Sequence, residues 1–124
     1  MTTAADLLHD EKSAAIIGDV VWRYHVYNQY GEIRNALKAL TRRIPGHPLE
    51  VYKEAFEQDL RLLIVTIEVV HEAPKQPNPK NKFADASDVD IDYVMGKLRA
   101  AFPDETDEYL SGHVGMVIYW FYLR

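Results

Sequence analysis

The sequence contains no cysteine. Disulfide bridges, thiolate zinc sites and cysteine nucleophiles are thereby excluded, and the composition suits a reducing cytoplasm. Long hydrophobic runs are also missing. The longest, Met116 to Leu123, is far short of the roughly 20 residues a helix needs to cross a bilayer, and it reads as core. The first residues, Met1 to Asp6, have neither the basic start nor the apolar run of a secretory signal. No phosphate-binding loop, dinucleotide fingerprint or G-x-S-x-G elbow is present, so no cofactor is expected. Positive charge is in short supply, with 14 Lys and Arg against 19 Asp and Glu, a net charge of -5. That balance argues against nucleic acid as a partner, since nucleic acid wants a cationic face. It argues equally against an anionic membrane surface, and it favours steering toward a basic protein.

What the chain does have is an ordinary globular composition. Of 124 residues, 48% are hydrophobic and 27% charged. This is the profile of a single helical domain over 1–124, able to bury about two thirds of its unfolded surface. The organising stretch is Leu60 to Val70, whose only charges are Arg61 and Glu68. Such a segment has to be covered on most sides, and apolar stripes elsewhere in the chain supply the cover.

The periodicity predicts an all-α bundle of about five helices. The first spans residues 3–30, capped by Thr2 or Thr3, with a stripe of Leu7, Ala14, Ile17, Val21, Tyr24 and Tyr27. Gly18 in its middle suggests a kink or a close helix crossing. Tyr30-Gly31 breaks the chain. Glu32–Arg43 follows as a basic amphipathic helix, with Ile33, Ala36, Leu37 and Leu40 inward and Arg34, Lys38 and Arg42 outward. A Pro- and Gly-bracketed stop at 44–48 leads to a long helix from 48 to about 72. Its stripe is Leu49, Tyr52, Phe56, Leu60 and Leu63, and Glu50, Glu54, Glu57, Asp59 and Arg61 lie outside. Residues 73–87, rich in Pro and Lys, read as a flexible loop without regular structure. Ser87 or Asp88 caps a helix to about Ala101 with Ile91, Val94, Met95 and Leu98 buried. Asp104 caps the last helix, with Tyr109, His113, Met116 or Val117, and Trp120 on its inner side. The β-branched and alternating segments leave an α+β alternative, with strands near 20–27, 62–70 and 114–122.

Candidate chemistry is sparse. Glu68 and His71 form an E-x-x-H pair, half of the set that holds a di-metal centre in helical bundles. With His25 and His113 they outline an alternative, a mononuclear metal or small-ligand site that could serve an enzyme. Asp88, Asp90 and Asp92 resemble the start of a calcium loop, but Tyr93 stands where the glycine belongs and Arg99 where the closing Glu belongs. Acidic residues at a helix start account for them. The cluster Trp22, Tyr24, Tyr27 and Tyr30 suits core with one or two rings left as interface anchors.

These readings point to a non-enzymatic cytoplasmic protein, a monomer or small homo-oligomer, that binds another, basic protein. An acidic inhibitor of the immunity-protein or antitoxin type is its concrete form. The expected binding face combines Glu50, Glu54, Glu57, Asp88, Asp90 and Asp92 with Tyr27 and Tyr30. The competing expectations are the ligand or metal bundle and a structural subunit that self-associates through Trp120 and Tyr122.

Overall fold

A computed structural model describes residues 2–77 and 87–123. Among these residues the fold is all-α, with six α-helices, a π-helical turn at the C-terminal end and one small two-stranded ribbon. The segments expected as strands in the α+β alternative are helical, apart from Val26 and Tyr27 just beyond the end of a helix. The chain divides into two compact units between Arg61 and Leu62.

The first unit begins with α1 (Ala4–His9) and α2 (Glu11–His25) in place of one long helix. Thr3 caps α1 as expected, in a reciprocal capping box with Asp6. Asp10 then ends α1 in extended conformation and starts α2, its carboxylate accepting the Ser13 N–H at 3.0 Å. The break thus falls at an N-capping aspartate, and α2 runs through Gly18, where an added Cβ would meet nothing within 4 Å. No close crossing explains that glycine. At the other end, α2 stops at His25, short of the expected Tyr30, because Asn28 adopts a left-handed φ of 53°. The turn is closed by the Gln29 N–H donating to the Arg23 carbonyl at 2.9 Å.

Helix α3 (Ile33–Arg43) packs with α2. Ala36, Ala39 and Leu40 are buried, whereas Ile33, expected inside, is at the surface in the first turn. The first half of α4 (Leu49–Glu72) completes the unit. Buried Ile17, Val20, Val21, Trp22, Leu40, Tyr52 and Phe56 form its apolar interior. The Tyr24 ring meets Phe56 edge-on at 5.2 Å, a favoured aromatic geometry.

The second half of α4 opens the second unit. Leu62, Leu63, Thr66, Val69 and Val70 are buried, and Arg61 and Glu68 are exposed. The β-branched run therefore stays helical, with the Thr66 hydroxyl donating to the Leu62 carbonyl at 2.6 Å. The segment read as a structureless loop carries a ribbon: β1 (Lys75–Pro77) pairs antiparallel with β2 (Ser87–Val89), Gln76 opposite Asp88. The rest of that loop lies outside the described residues. Asp90, not Ser87 or Asp88, caps α5 (Ile91–Ala101) by accepting the Tyr93 N–H. Thr106, not Asp104, caps α6 (Asp107–Ile118). The inner side of α6 is Leu110, Val114 and Val117, of which Val117 is as expected; Tyr109, His113 and Trp120 are half-buried, and Met116 and Tyr119 face out. Val94, Met95 and Leu98 are buried as expected, and Ile91 is exposed.

Candidate binding face

The outer side of the first half of α4 is fixed by how the helix begins. Pro48 sets the entry, and its carbonyl accepts the Val51 N–H at 3.0 Å. One turn in, the phenol of buried Tyr52 accepts the His47 N–H at 3.1 Å and donates to the Ile44 carbonyl. The His47 ring stands edge-on to that of Tyr52 at 5.7 Å. A single side chain thereby ties the α3–α4 connection to the first turns of α4. With Tyr52 and Phe56 turned inward, Glu50, Glu54 and Glu57 are turned to solvent. They span about 10 Å along the axis at 1.5 Å per residue.

These carboxylates are open to a partner. Glu50 and Glu57 make no ion pair among the described residues, and Glu54 only accepts a long 3.4 Å hydrogen bond from Gln58. The face is not uniformly acidic, because exposed Lys53 flanks it and exposed Arg61 stands beyond Glu57. Asp59, expected in the same acidic surface, is 1% exposed. It lies seven residues after Tyr52 and three after Phe56, so the helical period carries it into the apolar stripe.

The cations of the first unit do not answer these carboxylates. Arg34 pairs with Glu32 at 3.2 Å on its own helix start. Asp19 of α2 receives Arg23 Nε at 3.0 Å and Arg43 Nη1 at 2.7 Å. Partial burial pushes the Asp19 carboxyl up, but the hydrogen bonds from Arg43 and Arg23 outweigh it and the net shift is downward. The signal for this cluster was the i,i+4 spacing of Asp19 and Arg23. Arg43 is 24 residues from Asp19, beyond any local pattern.

The other expected site residues are distributed. Tyr27 is 47% exposed and Tyr30 half-buried, both in the turn after α2. The Tyr30 carbonyl accepts the Asn35 side-chain amide at 3.0 Å. Asp90 and Asp92 belong to the start of α5 in the second unit, where Asp90 is the cap, and the Asp88 side chain lies outside the described residues. Asp90 and Asp92 thus belong to a helix start, and Asp88 to β2.

His25 belongs to the first unit, and Glu68, His71 and His113 belong to the second. Among the described residues no three His, Asp or Glu side chains come together in a way that could hold a metal ion. The rings of His71 and His113 turn back on their own helices, Nδ1 lying 2.7 Å from the Ile67 carbonyl and 3.2 Å from the Tyr109 carbonyl. His71 also meets Phe121 edge-on at 5.1 Å. His25 is the exposed last residue of α2.

Among the described residues no helix is long and apolar enough to cross a membrane. Comparison with protein-family models, with curated proteins and with solved structures finds no match.

Proposed function

We propose that this chain is a protein-binding module that receives a basic partner on the outer face of α4. An inhibitor of the immunity-protein or antitoxin type, acting in the cytoplasm, is its concrete form. The observation that supports the reading is the row Glu50, Glu54 and Glu57, exposed and without an ion pair in the described chain. Carboxylates so placed accept charge-assisted hydrogen bonds from Arg or Lys. Exposed pairs contribute only about 0.2–1 kcal/mol each, so charge here serves encounter rate and register more than affinity. Leu49, 60% exposed in the same first turn, provides an apolar anchor whose burial is worth about 1.5–3 kcal/mol. Lys53 narrows the class of partner. A complementary surface is basic opposite the three glutamates and carries an acidic group opposite Lys53.

The test is affinity purification from the native cell with the wild-type chain and with a Glu54→Lys/Glu57→Lys variant whose helical circular dichroism is intact. A basic protein recovered at equal stoichiometry by the wild type, released by raised salt and lost with the variant, is the expected result. Recovery of no stoichiometric protein, or equal recovery with the variant, ends the proposal.

A further inference from the structure

We draw no further inference here: the strongest candidate, the exposed apolar patch of Met116, Tyr119 and Phe121 at the C-terminal end of α6, has nothing in the structure to show what covers it.

Discussion

Arg99 and Asp107 meet side-on, Nε to Oδ1 and Nη2 to Oδ2, both at 3.0 Å. The pair joins the last turn of α5 to the first turn of α6, so each charge also sits at the helix end whose dipole favours it. The hydrogen bonds from Arg99 hold the Asp107 carboxyl below its ordinary value, and the same contact holds the Arg99 guanidinium above its own. A carboxylate whose pKa is lowered on folding adds stability above its unfolded pKa and loses it as pH falls through the folded one. The stability advantage of the wild type over Asp107→Asn is therefore expected to be full at neutral pH and to vanish in acid. Urea denaturation of both proteins across the acidic range measures it. An advantage that persists at the acid end would remove the assignment.

Asp19 is shared by two arginines, and its loss leaves Arg23 and Arg43 facing each other. Asp19→Ala is expected to cost about 1 kcal/mol, a figure already reduced for solvent screening because all three side chains are more than a third exposed. Arg23→Ala should cost less, since Arg43 remains on the carboxylate. Denaturation midpoints give the order, and the reverse order would show that the shared carboxylate is not the centre of the cluster.

Tyr52→Phe keeps the buried ring and removes the hydroxyl that ties Ile44 and His47 to α4. The expected loss is about 1 kcal/mol, that of a hydrogen bond to part-buried backbone groups. Amide exchange should also quicken at His47, whose N–H the phenol receives. A variant with unchanged exchange at His47 would contradict the structure.

Asp59 and Glu57 are two residues apart and differ in everything but charge. Asp59→Lys places a cation in the apolar stripe and is expected to cost more than about 3 kcal/mol or to prevent folding. Glu57→Lys, at the surface, should stay within about 0.5 kcal/mol. Equal tolerance of the two reversals would mean that α4 is rotated from the orientation described.

Much of the architecture was legible because the 3.6-residue period outweighs local propensity. In α4, Ile64, Val65, Ile67, Val69 and Val70 favour a strand taken alone, yet Tyr52, Phe56, Leu63 and Val70 form one unbroken helical stripe and the whole segment is a helix. Propensity for strand depends on neighbours across a sheet, and none are offered to this segment. The ends were harder to read. Asp10 could be taken as a surface residue of a continuous helix, and only its carboxylate on the Ser13 N–H reveals a cap. Asn28 gives no turn signal as strong as Gly31, but tolerates the left-handed conformation that ends α2. In α6 the reading favoured the large Tyr109, His113 and Trp120, which are half-buried beside the smaller, fully enclosed Leu110, Val114 and Val117. For the candidate face, Glu50, Glu54 and Glu57 were visible from spacing, and so in principle was the burial of Asp59, which shares the period of Tyr52 and Phe56. The ties of Arg43 to Asp19 and of Arg99 to Asp107 cross between helices, and no single-helix pattern contains them.

The division of the chain between Arg61 and Leu62 falls inside α4, a helix of 24 residues. A genetic crossover or an engineered graft at that boundary would hand each product a half-helix near the length at which isolated helices are only marginally stable, about 12–15 residues. Connections such as those at 26–32, 44–48 and 102–106 are seams where recombination cuts no helix. Modularity here follows the loops.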